Sequence, residues 1–298
     1  MLKIKNESKL KKNLFLITVF TIPTLHFLIF WLYTNISSIA MAFQNRIGEF
    51  IWFDNFEWYI SDMFAPIPKV KALEGLVNSL KFWVFGLLVE TPTALAISYF
   101  FFKKIKGTEF FNVVLYLPCI ISSVVMATVF KNFLSSVGPL ASLFEAMHKE
   151  FPLLLYNSEY AMGAMLFYNF WTGFGTSLIL YTSAMKKIPE EIFEAAQLDG
   201  ITLWKEFIYI VFPLIWSLYS TMLMMSVGNI FTASGPILLL TNGEYGTMTI
   251  AHATFQQYFE FNQPERASAI GLLYSAIALP LVLFTRWLLN KLDSNAEF

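Results

Sequence analysis

Ile188-Pro189-Glu190-Glu191-Ile192-Phe193-Glu194-Ala195-Ala196-Gln197-Leu198-Asp199-Gly200, continued by Ile201-Thr202-Leu203-Trp204-Lys205-Glu206-Phe207, is a polar segment set between two apolar runs. It reads as two short helices joined by a sharp turn. Pro189 suits a first helical position, where a missing N–H costs nothing. Glu190 and Glu191 fall in the first turn, where the helix dipole favours anions. Gly200 stands where a left-handed residue ends a helix. Ile188, Ile192, Ala195 and Leu198 recur at helical spacing on one side, and Ala195, Ala196 and Gly200 leave room for another backbone to approach. A helix this short is marginal alone, so it is expected to pack on the protein's own helices or on a partner.

The flanking runs set the solvent. Of 298 residues, 56% are hydrophobic and 14% charged, against about a quarter charged in a soluble domain. A water-soluble fold could not hide that much apolar surface. About 20 apolar residues cross a bilayer, and six such runs are predicted: 14–33, 76–102, 110–134, 161–185, 212–240 and 267–289, leaving 1–13 and 290–298 as tails. Net charge is −1, which gives no basic excess for nucleic acid. A single Cys119 excludes a disulfide framework, and His26, His148 and His252 are too scattered for a histidine metal cluster.

Basic loops stay cytoplasmic. Lys3, Lys5, Lys9, Lys11 and Lys12, then Lys103, Lys104 and Lys106, then Lys186, Lys187 and Lys205, then Arg286 and Lys291 fall in alternate connections, thirteen of the 20 cations on one side. Both termini and 188–211 are therefore expected in the cytoplasm. The basic start, apolar run and Ala40-Met41-Ala42 imitate a cleavable secretory signal. A run of about 20 exceeds the 7–15 of a signal core, so an uncleaved first span is favoured over a cleaved one that leaves five. On the other side, 36–72 carries Trp52, Phe53, Phe56, Trp58 and Tyr59, read as an interfacial belt or as a docking surface for an extracellular partner.

Glu194-Ala195-Ala196, three residues, Gly200, and Pro213 thirteen further on resemble the EAA loop of binding-protein-dependent ATP-binding-cassette importer permeases. The resemblance extends over nearly the whole chain. Asp54-Asn55-Phe56, Asn78-Ser79-Leu80, Leu117-Pro118, Thr241-Asn242-Gly243 and Ala267-Ser268-Ala269 are similar to the carbohydrate-uptake branch, the maltose, glycerol-phosphate and multiple-sugar permeases. The resemblance implies an all-α integral membrane fold, type I importer permease-like, with six transmembrane helices and a cytoplasmic coupling loop. It implies that Glu191, Glu194, Ala195, Ala196, Asp199 and Gly200 dock on an ATPase. It also implies a sugar or oligosaccharide as solute, with another solute class as the alternative, and a bacterial or archaeal plasma membrane. The expected partners are a second related permease, two ATPase copies carrying ATP and magnesium, and an extracellular solute-binding protein, with no cofactor in this chain. Ile201 departs from the small residue usual after the glycine, which bears only on the packing of that turn.

Polar residues in the bilayer point to a cavity or a helix interface. Asn169, Gly173, Thr176 and Ser183 form one stripe beside Tyr168 and Trp171; Ser226, Asn229, Thr232 and Pro236 form another. Tyr168, Asn169, Trp171, Thr176, Ser226, Asn229 and Thr232 are the candidate sugar path, where hydroxyl and amide groups meet sugar hydroxyls and an aromatic face stacks on a ring. Close helix packing is the competing reading, favoured for Gly173 and Ser183. Glu90 stands mid-span, two residues before Pro92, and is paired, protonated or facing the cavity. Arg286 reads as a snorkelling anchor and His26 as a packing residue. No G-x-x-x-x-G-K-[ST], H-E-x-x-H or G-x-S-x-G occurs, so neither ATP hydrolysis nor the usual hydrolase chemistry is expected here. An ATP-independent channel is the remaining class.

Overall fold

The computed structural model describes residues 2–232 and 235–293, which are helical throughout apart from turns and one isolated antiparallel bridge, Gln44 to Phe50. Helix α1 runs from Leu2–His26 through a π-helical Phe27–Tyr33 into Thr34–Ala42. After α2 (Asp54–Met63), α3 (Ala72–Phe102) continues across a π-helical Gly86–Glu90. Then come α4 (Thr108–Ile120), α5 (Ser123–Phe133), α6 (Pro139–Ala146) and α7 (Ala161–Met185). The polar segment gives α8 (Glu190–Leu198) and leads into α9 (Leu203–Leu214), followed by α10 (Trp216–Gly228), α11 (Ile237–Leu240), α12 (Ile250–Phe259) and α13 (Pro264–Asp293).

Among the described residues, three helices are long and apolar enough to cross a membrane: Lys11–Ala42 within α1, α3, and Pro264–Leu292 within α13. The count reaches five when α4 with α5, and α9 with α10, each form one bent span. Helix α7 coincides with the expected 161–185 run, but Asn169, Thr172, Thr176, Ser177 and Thr182 dilute its apolar character, and it is not among those five. Two expected spans differ in shape. The 110–134 run breaks at Ile121 and Ser122, whose extended ψ of 145° and 133° turns α5 by 103° from α4. Its continuous apolarity hides that corner. The 212–240 run starts earlier, bends by 72° around Ile215, and stops being helical at Asn229.

Helix α7 is the centre of the bundle, packed along the second half of α3 and along α4. Gly175 permits the α4 approach: a Cβ there would lie 2.8 Å from Cys119 Sγ and 2.9 Å from the Leu115 carbonyl oxygen. Since a carbonyl cannot rotate aside, Gly175→Ala is expected to cost about 1–3 kcal/mol through overpacking, read as a lower unfolding midpoint in detergent.

One end of the molecule is tied by the motif residues that open α3. The Asn78 amide donates to the Gly246 and Met248 carbonyls at 2.9 and 2.8 Å, Ser79 Oγ accepts from Ile250 N, and Glu74 accepts from Met248 N. Asn55 likewise donates to Ala42 O and Gln44 O. These residues hold loops in place, since buried main-chain groups must find partners. The aromatics of 36–72 divide: Trp52 and Phe53 are exposed, while Tyr59 is buried with its hydroxyl 3.2 Å from that of Tyr274.

Candidate functional site

At the other end of α3, the 188–206 segment folds much as its residues dictate. Gly200 takes φ +68°, its N–H donates to Gln197 O at 3.1 Å, and Ile201 N donates to Ala196 O at 3.2 Å. Those two bonds complete a Schellman turn. Pro189 lies one position earlier than expected, as the extended residue before the helix (ψ 141°). Of the expected apolar side, Ile188 and Ile192 are half-buried and Ala195 and Leu198 exposed. Phe193 and Ala196 face the bundle, whereas Ala195 and Leu198 point outward with Glu190, Glu191, Glu194, Asp199 and Gly200. Leu198 is 89% exposed and Trp204 64%. The tip is thus an apolar knob ringed by carboxylates, and four of the segment's five acids lie on it.

The fifth acid, Glu206, is 3% exposed and turns inward. It pairs with Lys103 and accepts a hydrogen bond from the Tyr99 hydroxyl at 3.0 Å, which also lies 3.2 Å from Leu203 O. Lys103 Nζ stands 4.7 Å over the Phe193 ring, whose centroid is 5.1 Å from that of Phe102. A buried ion pair with added hydrogen bonds, capped by a cation–π contact, fixes the segment to the end of α3. The partners of Glu206 lie roughly a hundred residues upstream, beyond any local signal.

Two cavities lie between the buried clusters. The smaller, about 370 Å3, is lined by Glu90, Asn169, Ser177, Tyr181, Tyr219, Ser226 and Asn229 among others. The larger, about 680 Å3, is lined by Tyr168, Asn169, Thr172, Gly173, Thr176 and His252 among others. Asn169 borders both. Of the expected path residues, Tyr168, Asn169, Thr176, Ser226 and Asn229 reach a cavity. Trp171 does not join them: it packs on Phe130 and lines a separate apolar pocket with Phe167. Thr232 is exposed and its hydroxyl donates to Asn229 O at 3.2 Å. Ser183 is exposed as well. Gly173 does more than pack helices, since its missing side chain makes room for the Glu90 carboxyl.

His252 was not expected here. It is buried against Gly243, where a Cβ would come within 2.6 Å of its Cδ2, and among the described residues its Nε2 has no hydrogen-bond partner. Burial lowers its pKa, opposed by the Asn242 backbone and by Glu260 and Glu244. With the folded value below the unfolded one of about 6.5, stability is full above 6.5 and falls as acidification protonates the unfolded chain first. The unfolding midpoint is expected to drop on going from about pH 7 to about 5.5, and the His252→Asn variant should show a flatter profile.

Residues 82–297 match the family described as binding-protein-dependent transport system inner membrane component, and the chain belongs to it. It is a multi-pass membrane transport subunit and not an enzyme. It is 26% identical over 275 residues to the arabinooligosaccharides transport system permease protein AraP of Bacillus subtilis, covering 90% of this chain and 86% of that one. It is 23% identical over 263 residues to the multiple sugar-binding transport system permease protein MsmF of Streptococcus mutans, covering 86% and 88%. Its fold matches a chain of a bacterial ABC transporter that imports the acidic polysaccharide alginate, with TM-score 0.83 at 24% identity over 96% of this chain and 99% of that chain. A second structure of a bacterial alginate transporter, in complex with a periplasmic protein bound to alginate pentasaccharide, matches with TM-score 0.84 at 23% identity, covering 96% and 97%.

Proposed function

We propose that this chain is one membrane half of an ATP-driven importer for a sugar or oligosaccharide. It works in the plasma membrane of a bacterium or archaeon with six spans and both termini cytoplasmic. One observation carries the reading. The exposed tip, with Glu191, Glu194, Ala195, Asp199, Gly200 and Leu198 on it and Ala196 beneath, is tied through Glu206, Lys103 and Phe193 to α3, whose middle lines a polar cavity. A push on the tip therefore reaches the cavity along one continuous helix. Two ATPase copies carrying ATP and magnesium supply the push, a second related permease completes the path, and an extracellular solute-binding protein delivers the solute. The sugar assignment is supported by the relatives' substrates and by the amide, hydroxyl and aromatic lining.

The test is ATP hydrolysis by the reconstituted complex on adding its binding protein loaded with each of a panel of sugars. Stimulation several-fold above the unloaded protein by at least one neutral oligosaccharide is expected. Stimulation by amino acids or peptides and by no sugar would contradict the sugar reading.

A further inference from the structure

Glu90 lies at the meeting point of the two cavities. It lines the smaller one, and its Oε1 is 3.2 Å from where a Cβ on Gly173 would sit, on the wall of the larger. On its own helix, Oε2 is 3.9 Å from the equivalent point at Gly86. The missing side chain of Gly173 on the facing helix α7 thus gives the carboxyl its room, while Gly86 leaves it in ordinary contact. Among the described residues the carboxyl makes no hydrogen bond or ion pair, and its oxygens are not among the sealed, unpartnered polar atoms. An unpartnered acid at membrane depth is costly unless it faces water or a ligand. The smaller cavity offers it no cation: Asn169, Ser177, Tyr181, Tyr219, Ser226 and Asn229 supply its polar lining, without Lys, Arg or His.

We infer that Glu90, ionised against the open cavity, sets the charge specificity of the path, accepting hydroxyl hydrogen bonds from a neutral sugar and rejecting sugars that carry a carboxylate. The inference rests on the sugar reading above and deepens it. A neutral sugar presents hydroxyl donors that match a bare carboxylate, while the amides of Asn169 and Asn229 and the hydroxyls of Ser177 and Ser226 serve its ring and hydroxyl oxygens. A uronate would bring a second anion beside Glu90 with no cation to offset it, and rejection by an unpaired like charge is an effective specificity device.

The test is calorimetric titration of the purified complex, without binding protein, with a neutral oligosaccharide that it imports and with the same sugar oxidised to the uronate. The wild type is expected to bind the neutral sugar at least about tenfold more tightly than the uronate. Glu90→Gln, which keeps the shape and breaks no protein contact, should bring the two within about threefold, and Glu90→Asp should keep the preference with weaker neutral binding. Equal binding of both sugars by the wild type, or an unchanged ratio in Glu90→Gln, overturns the role of Glu90 while leaving the import function standing. Absence of both binding and uptake for every sugar overturns the sugar reading and this inference with it.

Discussion

Replacing Gly200 with proline is expected to abolish uptake and the ATP hydrolysis coupled to it, while the chain still inserts and assembles as a bundle. The glycine sits at φ +68° and its N–H closes the turn on Gln197. Proline removes that donor and fixes φ near −65°, a conflict of about 3 kcal/mol or more, or roughly a hundredfold in occupancy of the native turn. Bulk is not the issue, because nothing lies within 4 Å of a Cβ at this position. Gly200→Ala therefore isolates the conformational part, about 1–2 kcal/mol for a left-handed residue, and should leave reduced but measurable uptake. Glu194→Lys reverses a charge on the exposed side without touching the turn and should lose uptake with an unchanged unfolding midpoint. Uptake in proteoliposomes with ATP hydrolysis measured alongside checks all three, and wild-type rates in Gly200→Pro and Glu194→Lys would sink the docking role.

Breaking the Lys103–Glu206 pair is expected to uncouple the tip from the membrane path. Glu206 is almost fully buried and, among the described residues, Lys103 is its one cationic partner. Leaving one charge of such a pair alone costs about 3–5 kcal/mol. Lys103→Met is thus expected to lower the unfolding midpoint and to let ATP hydrolysis run without sugar movement. The double change Lys103→Met with Glu206→Met should recover most of the stability, since apolar replacement of a whole buried pair is close to neutral. Coupling returns in the double variant only if packing alone holds α8 and α9 on α3; a midpoint unchanged by Lys103→Met would show that the pair is not buried in the assembled complex.

What the amino-acid order disclosed was local. The turn at Gly200 needs a residue tolerant of positive φ and a run of main-chain donors, both contained within five residues, so it was legible. The helix of α7 was legible because its apolar run is unbroken by charge from Ala161 to Met185, up to the cations Lys186 and Lys187. The corner at Ile121 and Ser122 was not, because apolar side chains continue on both sides and only backbone torsion changes there. Which side of α8 meets the bundle and which is left for a partner was not legible, for a related reason. A nine-residue helix lying across the ends of other helices buries whichever large side chain meets a pocket, here Phe193 against Phe102, and leaves Leu198 outward. Tyr181, Tyr219 and His252 join the cavities through tertiary packing that no spacing rule encodes, whereas Asn169 and Asn229 were visible as costly amides in apolar runs.

The most direct test encloses ATP and magnesium inside proteoliposomes holding the complete complex, places the binding protein and a radiolabelled oligosaccharide outside, and measures internal sugar. Accumulation above the external concentration, lost when ADP replaces ATP or when the binding protein is left out, is the predicted result. Sugar entry that continues without ATP and stops at the external concentration would identify a passive channel and contradict the account.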